Sequence, residues 1–251
     1  MLTIFILCHN RPDDAQQAIA SAIAQSCPAD YLVISDNSSN NSVELMVKTH
    51  FPHVHYVRRP LGLNALEHFN MCIDEASTDY FCLFHDDDLM LPDFVKKMKL
   101  ASERYPNAIA IGCNAYIQEG EANKEDLSFR AMKSTVRFQK ASDLVSRYFG
   151  RNQSGIAPFP GYIYKRQLVH QERFQPGIGK YGDVAWLIAL SQIAQIIWVT
   201  TALMIYRLHG KNDGLKESRK DRLKLLSVLK FRKTILDKGL LDDYRVAFIY
   251  K

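Results

Sequence analysis

The stretch "YFCLFHDDDLMLPDF", residues Tyr80–Phe94, sets an apolar run directly against three consecutive aspartates. A strand that is apolar on both faces belongs in the middle of a sheet, where both faces are covered. Ending it in Asp86, Asp87 and Asp88 is costly, because like charges repel and an unpaired buried carboxylate is penalised heavily. A cation is the simplest use for acids so placed. Mg2+ and Mn2+ take oxygen ligands and commonly combine one or two carboxylates with the phosphates of a substrate. In extended backbone Asp86 and Asp88 point one way and Asp87 the other, a D-x-D spacing suited to one metal and one diphosphate. The competing reading is a solvated acidic turn capping the helix that starts near Pro92.

Working outward from this strand, the first half of the chain alternates. "LTIFILC" reads as a strand and "NRPDDAQQAIASAIAQS" as a helix, with Pro12 suited to its first turn and Asp13 and Asp14 to its positive end. "YLVIS" is a second strand closed by the cap-rich "DNSSNNS". "VELMVKTHF" is helical, "HVHYVRR" a third strand, and "ALEHFNMCIDEAS" a helix with Ala65, Phe69, Cys72, Ile73 and Ala76 on one side. Alternation of this kind predicts an α/β fold with a mostly parallel central sheet flanked by helices. Ligands of such sheets bind at the carboxyl ends of the strands. Asp36 ends the second strand as the three acids end the fourth. A carboxylate there accepts a hydrogen bond from a base N–H, and the neighbouring Asn37–Ser42 offer enough caps to leave it free.

The second half is less regular. "NAIAIGCNAYIQ" reads as a fifth strand, residues 119–136 as polar loop and "KASDLVSRYFG" as a helix. "APFPGYIYKR" reads as a loop and short strand whose Phe159 and Tyr162 either shape an acceptor side or belong to the core. "YGDVAWLIALSQIA" is a helix, and "QIIWVTTALMIYRLH" reads as two short strands around Thr200 and Thr201. From Lys216 onward the chain is helical and basic. Its segment Lys216–Lys233 holds eight basic and two acidic residues interleaved with Leu225, Leu226, Leu229 and Phe231. That pattern suits either packing on the domain or peripheral contact with an anionic membrane surface.

The 251 residues carry a net charge of +5 and are 47% hydrophobic, enough for a sizeable core and no sign of disorder. There is no zinc-finger spacing, Arg/Gly repeat or aromatic RNA-binding pattern, which argues against nucleic acid. The five cysteines are scattered, with no CxxC pair, and fit a reducing cytoplasm better than a disulfide framework. The apolar start "MLTIFILCHNRPDD" is too short for a signal peptide or membrane span. The expected location is the cytoplasm, with any membrane contact peripheral on its inner face.

The series "FILCHNRP", "ISDNSS", "LGLNALEHFNMCIDEASTDYFCLFHDDDLMLPDF" and "GDVAWL" resembles family 2 glycosyltransferases of the GT-A fold over roughly residues 2–210. The resemblance implies a GT-A domain over 1–212, with a nucleotide-binding half at 1–117 and an acceptor half at 118–212, followed by a basic helical extension at 213–251. By resemblance His9 and Arg11 lie near the base, Asp36 reads a uracil N–H, and Asp86 lies near the ribose. Asp87 joins the nucleotide-sugar-binding set, and Asp88 holds the metal, Mn2+ or Mg2+, on the diphosphate. Asp183 matches the acidic helix start that supplies the catalytic base, with Gly182 in place of the usual preceding acid. Asn37 stands where a second acid is usual in the "DNSS" segment. His209, in "YRLHGKND", is a candidate to meet the metal or diphosphate.

The implied activity is inverting transfer of a sugar from a nucleotide sugar, most directly UDP-linked, to an acceptor hydroxyl. The implied acceptor is a glycan or lipid-linked molecule of cell-surface polysaccharide or lipopolysaccharide synthesis. A sugar nucleotidyltransferase would carry a Gly-rich loop after the first strand, and "CHNRPDD" has no glycine. A non-catalytic nucleotide- or glycan-binding module of the same fold is the other alternative, disfavoured by the retained Asp183 and D-x-D acids.

Overall fold

The computed structural model describes residues 1–120, 126–149, 154–169, 171–208, 218–231 and 238–246. β1 (Leu2–Cys8) is buried along its whole length. α1 (Pro12–Ile23) follows with Pro12 in its first turn and buries Ala15, Ala18, Ile19 and Ala22, the face its spacing predicts. β2 (Tyr31–Asp36), α2 (Ser42–His50) and β3 (His55–Arg58) complete the first alternation. α3 (Ala65–Glu75) opens on a capping box. Asn64 accepts from the backbone N–H of Leu66 and Glu67, and Glu67 reaches back to the Asn64 N–H. β4 (Tyr80–His85), β5 (Leu89–Met90), α4 (Phe94–Arg104) and β6 (Ala110–Glu119) come next. Then come β7 (Thr135–Phe138), α5 (Ala141–Phe149), β8 (Tyr162–Lys165) and the short α6 (Arg166–Val169). α7 (Gly182–Ile193), β9 (Ile196–Leu208), α8 (Arg219–Phe231) and α9 (Lys238–Tyr244) close the described chain.

The strands form one sheet in the order β3-β2-β1-β4-β8-β6-β9-β5, with β7 paired to β9. The pairs β1/β2, β1/β4, β2/β3 and β6/β9 are parallel, whereas β8 runs antiparallel between β4 and β6. The chain leaves β1 toward β2 and β3, then returns to lay β4 on the other side of β1. The strand order therefore reverses at the carboxyl ends of β1 and β4, where such a sheet opens a binding crevice. Both faces of these strands are covered. Phe5, Leu7, Phe81 and Leu83 enter one core cluster, while Ile4, Ile6, Cys82 and Phe84 enter the other. The central, doubly buried strand expected from its sequence is thus β4.

Three local expectations change. The two strands expected around Thr200 and Thr201 are one, β9, and the threonines form a bulge: Cys113 pairs with Val199 but Asn114 with Ala202. Residues 119–136, expected as loop, contain the end of β6, the buried Phe129 and the start of β7. Buried Asn114 holds this segment by donating from Nδ2 to the Phe129 carbonyl and accepting from the Ser128 hydroxyl. In α8, Leu225, Leu226 and Leu229 are buried in the same core cluster as Trp186 of α7. These three leucines therefore take the packed reading, while Leu223 of the same helix is exposed. No helix among the described residues is long and apolar enough to cross a membrane. All five cysteines are free thiols.

Candidate active site

The loops after β1 and β2 are stitched to each other and to the end of β4. Asn10 sits in the left-handed region at φ 57°, which Asn tolerates better than most residues. This turn lets its backbone N–H donate to Ser38 Oγ at 2.8 Å while its Oδ1 accepts from Ser39 N at 3.0 Å. His9 Nδ1 lies 2.9 Å from Asn37 Oδ1 and 3.2 Å from the Asn37 carbonyl oxygen. Its Nε2 faces Asn10 Nδ2 at 3.1 Å, so the network fits a proton on Nδ1. The His9 backbone N–H donates to Asp86 Oδ2 at 2.9 Å. Asn37, the departure from the usual acidic pair, thus orients His9.

Arg11 reaches across from the start of α1 and grips two acids of the β4 turn. Its Nη1 meets Asp87 Oδ2 at 2.6 Å and its Nη2 pairs with Asp86 Oδ1. Burial pushes the Asp86 carboxyl up to about 7, opposed by the Arg11 charge. Asp86–Asp88 form a turn instead of extended backbone, so the expected alternation does not hold and adjacent Asp86 and Asp87 share one guanidinium. Asp88 is buried, and its Oδ1 accepts from the Arg207 backbone N–H at 3.0 Å. Arg207 also bonds the Asp87 carbonyl through Nε, and its Nη1 donates to Gln17 Oε1 at 2.8 Å. This arginine of β9 therefore fixes the acidic turn against α1.

Asp36 is not free. Its Oδ1 accepts from the backbone and hydroxyl of Ser38, and its Oδ2 from Tyr56 Oη at 2.6 Å and Arg58 Nη1 at 2.9 Å. Four donors fill the acceptor capacity of a carboxylate. Tyr56 and Arg58 were missed from sequence, although the rule that finds Asp36 also applies to them: they end β3 at the same edge of the sheet.

Asp183 is the second residue of α7. Burial pushes its carboxyl up to about 6, against a 2.8 Å bond accepted from the Val184 N–H. The Tyr206 phenol is pushed up by burial and then by the charges of Asp88, Asp87 and Asp183. One tyrosine of β9 thus senses the acidic turn and the α7 carboxylate together. Phe159 and Tyr162 are buried core residues, so of their two readings the structure takes packing. His209 and Asn212 lie outside the described residues.

The acidic turn fits a divalent cation. A ring nitrogen of His85 and one carboxylate oxygen each from Asp87 and Asp88 lie within 4.8 Å of one another. Asp88 Oδ2 is buried with no hydrogen-bond partner, a state that native interiors rarely leave unfilled.

Residues 3–167 match the family model described as Glycosyl transferase family 2; Asp36 and Asp86–Asp88 fall inside the match and Asp183 beyond it. Solved structures agree in fold. TarS of S. aureus superposes with a TM-score of 0.69 at 12% identity, over 99% of this chain and 42% of that one. Its 1–349 form in complex with UDP-GlcNAc gives 0.70 at 11% identity, over 97% and 71%. The mannosyltransferase PcManGT of Pyrobaculum calidifontis, in complex with GDP-Man and Mn2+, gives 0.60 at 15% identity, over 99% and 69%. The chain therefore spans about two fifths of the length of that TarS chain. A comparison with curated protein sequences finds no match. The parallel sheet that reverses at β1 and β4 is a GT-A sheet, and the chain belongs to glycosyl transferase family 2.

Proposed function

We propose that this chain transfers a sugar from a nucleotide sugar, most directly a UDP-sugar, to an acceptor hydroxyl with inversion at the anomeric carbon. The observation that carries the reading is Asp183: a half-buried carboxyl in the first turn of α7, raised to about 6 and acting on the same tyrosine as Asp87 and Asp88. A general base works best with a pKa near the operating pH, and this one is ionised at neutrality while still basic enough to accept the acceptor's proton. Asp87 and Asp88, with His85 beside them, would hold Mn2+ or Mg2+; when bound, the ion offsets charge that develops on the leaving diphosphate. Arg11 and Arg207 keep the acidic turn in place, and His9, Asn37 and Asp36 line the nucleotide side. The crevice at β1 and β4 brings donor and acceptor together.

Family membership and the nucleotide-sugar complexes of the structural neighbours support this donor class. The family resemblance supports a glycan or lipid-linked acceptor of cell-surface polysaccharide synthesis. The test is a panel of nucleotide sugars screened for nucleotide release, with and without lipid-linked acceptors, in Mn2+ or in EDTA. The expected result is metal-dependent release from one UDP-sugar, lost in Asp88→Ala. Equal release in EDTA would remove the metal from the reading, and no release from any donor would favour a non-catalytic binding module.

A further inference from the structure

We infer that His85 is a third protein ligand of the cation, giving the acidic turn a nitrogen-and-two-oxygen set formed by His85, Asp87 and Asp88. The inference rests on the metal reading above and assigns the ligands differently from a D-x-D pair. The first acid of that pair lies outside the cluster, with both oxygens bonded, Asp86 Oδ1 to Arg11 and Oδ2 to the His9 N–H, whereas Asp87 lies within it while also pairing with Arg11 through Oδ2. His85 takes its place in the cluster, with a ring nitrogen within 4.8 Å of the Asp87 and Asp88 oxygens.

Two independent observations point to a ligand here. His85 Nε2 and Asp88 Oδ2 are both buried without a hydrogen-bond partner, and an unsatisfied buried polar atom costs stability. A single cation relieves both. The imidazole is also held for the purpose. Its ring stacks on Phe69 at 5.8 Å between centroids with 27° between planes, and it packs on Phe159 at 5.7 Å. The imidazole packs beside a stacked Phe69–Phe159 pair, 5.6 Å apart, and this contact holds its buried Nε2 on the side of the acidic turn.

The donor set has a consequence for the ion. Carboxylates alone suit Mg2+, whereas an imidazole shifts preference toward Mn2+ and the later first-row ions. Three protein ligands also hold an ion without help from a substrate diphosphate, unlike sites built on one or two carboxylates.

The experiment adds Mn2+ to the full chain, with and without UDP, and reads pulsed EPR for coupling of the manganese to 14N. The expected result is nitrogen coupling in the wild-type protein even without UDP and its loss in His85→Phe, a change that keeps the aromatic stack. Mn2+ affinity should fall at least about tenfold in that variant. Mn2+ bound without nitrogen coupling, or coupling that survives His85→Phe, overturns the assignment of His85 and leaves the metal reading standing. No bound Mn2+ under either condition overturns both. Should His85→Phe fail to fold, the double variant His9→Asn/His209→Asn decides: coupling that persists there supports His85, and coupling that disappears overturns it.

Discussion

Leu66 fills the space that a side chain on Gly182 would need. A Cβ built on Gly182 would lie 2.5 Å from Leu66 Cδ1 and 2.8 Å from Cδ2. Gly182, the first residue of α7, has helical dihedrals, φ −60° and ψ −40°, so no backbone conformation there requires glycine. It is there because α3 packs against the first turn of α7, the turn that carries Asp183. Gly182→Ala is therefore expected to push aside the half-buried end of the Leu66 side chain, at a cost of about 1 kcal/mol or less, and to reduce turnover only modestly through Asp183. The partner change Leu66→Ala should restore part of both, a non-additive result in a double-mutant cycle followed by urea unfolding and by turnover. Strict additivity would mean that the two residues do not set the position of α7.

Asp36 provides a test of base recognition that its neighbours make unusually direct. For Asp36 to accept a base N–H, one of its four donors must let go, and Tyr56, which bonds it at 2.6 Å, is partly exposed. Tyr56→Phe removes that competitor and keeps the ring. UDP should then bind more tightly by about 1 kcal/mol, the scale of one hydrogen bond. CDP, which lacks the N–H donor, should be unaffected. Calorimetric titration of both nucleotides reads the difference, and unchanged or weaker UDP binding would take Asp36 out of base reading.

Arg11 pairs with both Asp86 and Asp87. Asp86 is fully buried, so removing the guanidinium leaves its carboxyl, already raised to about 7, with the His9 N–H alone and favours its protonated form. Arg11→Ala is expected to cost about 3 kcal/mol, the lower end for breaking a buried pair because Arg11 itself reaches solvent. Arg11→Lys should recover only part of the loss, since an ammonium cannot grip two carboxylates as a planar fork does. Urea unfolding of the two variants measures this. A loss below about 1 kcal/mol would place the interaction among ordinary surface pairs.

What the sequence made readable, and what it hid, follows from the range of the interactions. The β1-to-β4 alternation is local, since each element announces itself by its own periodicity and caps, as at Asn64 and Glu67. The carboxyl-edge acids follow from that alternation. The partners of those acids do not, because they come from distant chain: Arg207 lies 119 residues from Asp88, and Arg11 lies 75 residues from Asp86. The geometry of Asp86–Asp88 was also hidden. Strand alternation was extended one step past the strand's end, where the backbone turns instead. Thr200 and Thr201 looked like a break between strands because a polar pair in an apolar run reads as a turn; in the sheet they are a bulge that β6 accommodates at Cys113–Asn114. Phe129 was lost in a polar stretch for the opposite reason. A single buried aromatic has no period, and only its contact with Trp198, at 5.1 Å between centroids, reveals it as core.

Asp183 gives the sharpest prediction, because activity and stability should move in opposite directions. Its folded-state carboxyl is raised to about 6 by burial, from the ordinary aspartate value of 3.8. Between those two values the folded protein holds a proton that the unfolded chain releases, so this residue's contribution to stability falls as pH rises through that window. Above pH 6 the ionised carboxylate is a standing cost, on the order of 1–3 kcal/mol once partial exposure is allowed for. Asn removes the charge while its amide oxygen can still accept the Val184 N–H. Asp183→Asn should therefore melt higher than the wild-type protein at pH 8, with the gain fading as pH drops toward 4. Turnover should fall by about 10²–10⁴-fold, the usual contribution of a general base, with UDP-sugar affinity nearly unchanged. The wild-type rate should rise through about pH 6 as Asp183 ionises and then level off, and the Asn variant should lose that limb. The measurement is turnover, donor affinity and melting temperature of both proteins across pH 4–8. A variant that melts higher yet keeps near-normal turnover would make Asp183 a structural acid of the first turn of α7 and send the search for the base elsewhere.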